Sequence, residues 1–436
     1  MTTAQPPSTP ASPATSAPLP SAFDLQEFKL GWRALCVALV GNGTGVAALL
    51  LYGYGAMVVP LQEAFGWERS ALQAAMSFMF GGTVIAAQLA GWLILRHGAR
   101  IVATLSVLAL AAGFMGMTCL RDSIWALYLG FACLGILGLG TLHLTWTQLV
   151  NSWFDRNRGL ALAITLCGSG IAAAVLPALV TWSVTRWDWR AGFLAMAAIL
   201  LLLTLPLVLM WMQAPAGTSF ARNGPAASGT STEPGVTFRQ GLHSGKFWRC
   251  NVALVLAVSG VVAMVTNTIP VMRDKGLTAG EASQIFGGFG VSLIVGRIVV
   301  GYLADRVWAP GIAALALLLP GAGCLILAYG SHDRAILLLA VAMIGVGAGA
   351  EYDVASFLIA KYFGMREYSR LFGAHTGLIT IGASLTPLLV GALYKLSGSY
   401  DGLLAYAVIC FTVGPLLLLT LGRYPTFAPA FDGASN

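Results

Sequence analysis

GGFGVSLIVGRIVVGYLADR, residues 287–306, is apolar or glycine almost throughout, yet it carries Arg297 near its middle and ends on Asp305-Arg306. A run of this length and character is a helix that crosses a bilayer. An arginine at such depth costs about 2.5 kcal/mol or more. A charge kept at that cost marks a route for something polar, and Arg297 is the first candidate to meet an anion.

The rest of the chain has the same character. Of 436 residues, 57% are hydrophobic and only 9% are charged, and the mean hydropathy is +0.79. Soluble domains carry about 25% charged residues, so this chain lacks the polar surface to face water and its solvent is lipid. The formal charge of +7 does not point to nucleic acid, because the basic residues lie in alternate loops rather than on one patch. Seven cysteines occur singly, without a C-x-x-C pair, which suits small packing residues and neither a disulfide frame nor a metal site.

Residues 1–25 are dominated by Pro, Ser, Thr and Ala and read as a disordered tail, lacking the basic and apolar regions of a signal peptide. Twelve apolar segments follow, near 31–60, 71–95, 100–119, 123–150, 158–182, 190–212, 249–271, 281–304, 311–330, 334–360, 369–395 and 402–422. Residues 214–246 are rich in Pro, Gly, Ser and Thr and read as a linker between six-helix bundles at 26–213 and 247–424, with a second tail at 425–436. Fifteen Lys and Arg residues fall on the side of the chain ends and eight on the other, with Arg297 between. The positive-inside rule then puts both termini in the cytoplasm.

The two bundles repeat one another. Gly91-Trp-Leu-Ile-Leu-Arg96 matches Gly301-Tyr-Leu-Ala-Asp-Arg306 at an offset of 210. Trp153-Phe154 and Pro177 return as Tyr362-Phe363 and Pro387, at offsets of 209 and 210. Related halves of this kind face each other across a central site.

These residues carry a family resemblance. Gly91-x-Leu-x-Leu-Arg96-x-Gly98-x-Arg100 resembles the G-x-L-x-D-R-x-G-x-R loop of the major facilitator superfamily, with Leu95 where that loop has its acid. Asp305-Arg306 keeps the acid in the second half, although Trp308 and Pro310 replace the later Gly and Arg. The run from Pro60 through Gly66-Trp67-Glu68-Arg69-Ser70, the run from Trp153 to Ala161, and Gly349-Ala-Glu351-Tyr-Asp353 resemble the monocarboxylate transporter and oxalate/formate antiporter branch. The resemblance implies an all-α polytopic fold of twelve helices in two pseudo-symmetric bundles. It also implies a small carboxylate substrate that pairs with Arg297, and an inside gate built from Gly91, Arg96, Gly98, Arg100, Asp305 and Arg306. The lysines that the branch carries in its first or eleventh span are absent from those spans here, where Lys395 comes only at the end. One binding cation favours a monoanion over a compact dianion.

The residues themselves supply the other candidates. Arg297 offers a planar fork suited to a carboxylate; the alternative is a structural pair with Asp305 or Glu351. Glu351 and Asp353 are candidate proton carriers, since carboxylates in an apolar segment ionise reluctantly; the alternative is bracing of neighbouring helices. Tyr52, Tyr54, His143, Asn267 and His375 could line the substrate path, and packing is the alternative for each. No H-E-x-x-H, G-x-S-x-G or Walker motif is present, which disfavours an enzyme, a cofactor or ATP-driven transport. The reading is secondary transport of a small organic anion with a proton, in a monomeric unit of a bacterial-type inner membrane. The rivals are carboxylate exchange and a transporter-like sensor.

Overall fold

Apolar segments of about 20 residues become helices in lipid because the backbone there has no other partner than itself. The computed structural model describes residues 25–154, 157–213, 235–304, 306–330, 333–364 and 366–425. Among these, eleven helices are long and apolar enough to cross a membrane, and the pair Gln26–Gly43 and Val46–Ala56, bent by 44°, makes a twelfth span.

The first bundle consists of α1 (Leu25–Gly43), α2 (Val46–Gly53), α3 (Val58–Phe65), α4 (Arg69–His97), α5 (Ala99–Met117), α6 (Ile124–Leu137), α7 (His143–Trp153), α8 (Arg158–Arg186), α9 (Trp189–Ile199) and α10 (Leu205–Trp211). The second consists of α11 (Phe238–His243), α12 (Gly245–Asp274), α13 (Ala279–Ala304), α14 (Ala309–Tyr329), α15 (Arg334–Phe363), α16 (Tyr368–Ser397) and α17 (Asp401–Leu419). An even number of crossings leaves both described ends on one face, called here the terminal face.

The first bundle interrupts three of its spans. α1 gives way to α2 at Thr44-Gly45, α6 passes through a 3₁₀ turn at Gly138–Thr141 before α7, and α9 joins α10 through a π-helical turn at Leu200–Thr204. Interrupted helices in lipid must find other partners for the freed backbone groups. Here the interruptions serve one another. Thr141 Oγ1 accepts from Val46 N–H at 3.1 Å, and Thr44 and Thr204 share a hydroxyl hydrogen bond of 2.7 Å. Ser106 accepts from Gly140 N–H and donates to Leu137 C=O, both at 2.8 Å.

On the terminal face each bundle clips the beginning of its own chain to the loop between its fourth and fifth spans. In the first, Glu27 of α1 accepts from the backbone and side-chain N–H groups of Asn157 at 2.9 and 3.0 Å. In the second, the carboxylate has changed sides: Glu367 accepts from Phe238 N–H at 2.9 Å. Val236 N–H also reaches Phe363 C=O at 2.9 Å, and Thr237 caps α11. The expected linker is therefore built onto the second bundle from Gly235 onward. Its residues 214–234, and the tails at 1–24 and 426–436, lie outside the described residues.

The bundles join from mid-depth to the face opposite the chain ends. α13 packs on α8, and α16 on α4. Polar contacts between bundles on that face include Thr181 with Ser283 at 2.5 Å and Arg69 with Asp274 at 2.6 Å.

Candidate functional site

α13 and α15 approach so closely that α15 has room only for glycine at two of the contacts. A Cβ at Gly345 would strike Ser292 Oγ and Phe289 C=O, and one at Gly349 would strike Leu293 C=O and Arg297 N. Gly349 therefore seats α15 against the backbone of Arg297 itself, and Glu351 follows two residues later. Arg297 and Glu351 are each only 7% exposed, and their charges are close enough to act on each other. Arg297 lies about 10 Å from the terminal-face end of α13, well within the hydrocarbon span. Asp353 continues α15 in the backbone, and its side chain lies outside what is described.

The first bundle contributes His143 from the other side. The turn at Gly138–Thr141 leaves Leu142 extended, so α7 starts afresh inside the membrane with His143 as its first residue. The imidazole is exposed although it lies deep in the molecule, and its charge would act on Arg297 across the bundle boundary. Its reach to Arg297 places it where the two bundles meet. Arg297 therefore has two ionisable neighbours within electrostatic reach, Glu351 on its own bundle and His143 on the other.

The other candidates are dispersed. Tyr52 is buried with its ring 6.3 Å from Phe289 of α13, at the boundary between bundles. Tyr54 is fully buried, donates to Leu72 C=O at 2.7 Å and packs edge-on against Phe131 at 4.9 Å. Its hydroxyl is thus occupied inside the first bundle. Asn267 is fully buried and donates to Ala263 C=O at 2.8 Å. It sits where α12 crosses the first bundle, since a Cβ at Gly55 would meet Thr266 C=O. His375 is 1% exposed and its Nδ1 lies 2.7 Å from Asn251 Oδ1, a pairing of α16 with α12 within the second bundle.

The gate candidates stay within their own bundles. Gly98 takes a positive φ of 83° between α4 and α5, Arg100 donates to Leu209 C=O, and Arg96 lies over the Trp92 ring at 5.4 Å. Gly91 has open space around it, so no close packing requires a glycine there. Arg306 donates to Tyr302 C=O at 3.2 Å and lies over its ring. Asp305 lies outside the described residues, as do Asp155 and Arg156.

Two sets of residues escaped the sequence reading. Thr44, Ser106, Thr141 and Thr204 satisfy the helix interruptions, and their signal was the glycine runs at 41–45 and 135–141, which read equally well as close packing. The second set is Gln62, Arg69 and Asp274, which join the bundles on the face opposite the chain ends.

The comparisons with known proteins agree with this fold. The chain matches the Major Facilitator Superfamily over residues 40–352 and 276–435. It is 24% identical over 398 residues to monocarboxylate transporter 13 of Rattus norvegicus, covering 90% of each chain. It is 26% identical over 307 residues to monocarboxylate transporter 13 of Bos taurus, covering 70% of each. The fold superposes with a TM-score of 0.67 on an inward-facing, occupied bacterial homologue of the human lysosomal transporter Spinster. That match has 16% identity and covers 93% of this chain and 99% of the other. A multi-pass membrane chain with this family match is a transporter of small molecules rather than an enzyme, and it belongs to the Major Facilitator Superfamily.

Proposed function

We propose that the chain moves a small organic monocarboxylate together with a proton by alternating access, as a monomeric unit of a bacterial-type inner membrane with both termini in the cytoplasm. The observation that carries this reading is the burial of Arg297 between the bundles, beside Glu351 and across from His143. A guanidinium in a dry site binds a carboxylate through paired, charge-assisted hydrogen bonds that a neutral group cannot match. Glu351 is the proton carrier: ionised, it competes with the substrate for the Arg297 guanidinium, and protonated, it gives up that competition. Asp353 is retained as a second carrier on the same helix. Relatives named monocarboxylate transporters support the substrate class.

Tyr52 and Asn267 fit a supporting role where the bundles touch, and Tyr54 and His375 act through packing of their own bundles. Purified protein in proteoliposomes tests the reading. A panel of monocarboxylates is expected to accumulate against a gradient when the destination is alkaline. Indifference to the pH gradient, with uptake driven by internal carboxylate, would replace proton coupling with exchange. Absence of any carboxylate uptake would overturn the substrate class.

A further inference from the structure

Arg69 is the first residue of α4 and Asp274 the last of α12. A helix carries partial positive charge at its start and partial negative charge at its end. Arginine at a start and aspartate at an end are therefore each on the terminus that repels them. Neither residue serves its own helix, and what they share is the contact between bundles, with Nη1 2.6 Å from Oδ2.

The surroundings are shaped to that contact. The Arg69 guanidinium lies 5.7 Å from the ring centre of Tyr394 at the end of α16 and 5.8 Å from that of Tyr400 before α17. Those rings rest on each other at 4.7 Å. Three parts of the second bundle thus converge on one arginine of the first. Gln62, of the same bundle as Arg69, accepts from its Nε at 2.8 Å and holds the fork in place. A lysine could not make the two hydrogen bonds and present a flat face to the rings. A weaker pair, Arg273 with Glu63 at 3.8 Å, borders a cleft of about 380 Å³ that opens beside the contact on the same face and is also lined by Pro60, Thr181 and Asp188.

We propose that Arg69, gripped by Asp274 and the Tyr394–Tyr400 pair, is the latch that keeps this face of the transporter closed. Opening toward that face separates the bundles here and returns two charges to helix ends that disfavour them. The latch rests on alternating access and not on the identity of the cargo.

The test places spin labels on exposed sites of the two bundles at this face, through Arg121→Cys and Leu396→Cys. The exposed Cys119 and Cys133 are replaced by Ser. Distances are measured by pulsed electron resonance on the full chain in lipid nanodiscs without substrate, so a failure of the carboxylate reading leaves the result intact. The parent is expected to give mainly the short distance. Asp274→Asn and Arg69→Gln should each raise the ratio of long to short distances roughly threefold to fivefold, the scale of one partly exposed ion pair. The reversed pair, Arg69→Asp with Asp274→Arg, should restore the short distance in part, because it re-forms the ion pair between the bundles but not the guanidinium contact with the Tyr394 and Tyr400 rings. Asp274→Asn is an isosteric change at an exposed helix end and keeps the test valid if an Arg69 variant does not fold. Unchanged distances in Asp274→Asn, or a reversed pair that stays open, would overturn the proposal.

Discussion

The two bundles share a plan but solve different problems. The first interrupts its outermost and fourth spans, between α1 and α2, α6 and α7, and α9 and α10. The second runs the corresponding spans unbroken, with 30 residues each in α12 and α15 and 19 in α17. The charges divide the opposite way. Arg297 and Glu351 belong to the unbroken bundle, and the interrupted one offers His143 at a fresh helix start. Charge is expensive in hydrocarbon and needs a frame that holds its partner at fixed distance, which the glycine-seated pair α13 and α15 provides. Interruptions are the places where a helix can bend, and three of them meet through Thr44, Thr141 and Thr204. The second bundle thus reads as the half that grips, and the first as the half that adjusts.

The largest effect should come from loosening the grip. Arg297→Lys keeps the charge and loses the fork, and kcat/KM for carboxylate uptake should fall roughly a hundredfold, the scale of a lost buried charge contact. Glu351→Gln should abolish accumulation driven by a pH gradient while leaving carboxylate exchange, and gradient-driven uptake at wild-type rate would remove Glu351 from the proton path. Gly349→Val forces α15 away from the Arg297 backbone. A stability loss of about 1–3 kcal/mol is expected for such overpacking, read as a lower thermal midpoint in detergent together with weaker uptake.

Smaller effects test the other half of the contrast. Thr141→Val strands the Val46 N–H inside the first bundle and should cost about 1–3 kcal/mol, the usual penalty for an orphaned buried donor. Thr268→Val is the control, because in unbroken α12 that hydroxyl only donates to Met264 C=O of its own helix, and its loss should be near-neutral. Equal losses at the two positions would erase the distinction between an interrupted bundle and a continuous one.

What the sequence disclosed follows from what kind of signal each feature leaves. The spans were legible because lipid demands long apolar runs, and Arg297 and Glu351 because charges stand out in them. The repeat was legible because landmarks such as Gly91 and Gly301 recur at one offset. The interruptions at 43–45 and 138–142 were not, since glycine and threonine in a membrane helix serve close packing as readily as a break. Tyr54 looked like a substrate donor, and only its three-dimensional neighbour, Leu72 C=O, shows the hydroxyl already engaged. Arg69 stood out only as a loop charge and as part of the Pro60–Ser70 run, and its contact across the bundles was hidden because its partner Asp274 lies 205 residues away.

The central claim is that Arg297 recognises the negative charge of a carboxylate. It is tested most directly by comparing propionate with propionamide, which match in shape and differ in charge, as ligands of purified wild-type protein and of Arg297→Lys. Titration should show propionate bound by wild type, propionamide bound far more weakly, and the preference largely lost in the variant. Equal binding of acid and amide by wild type, or an undiminished preference in Arg297→Lys, would contradict the account.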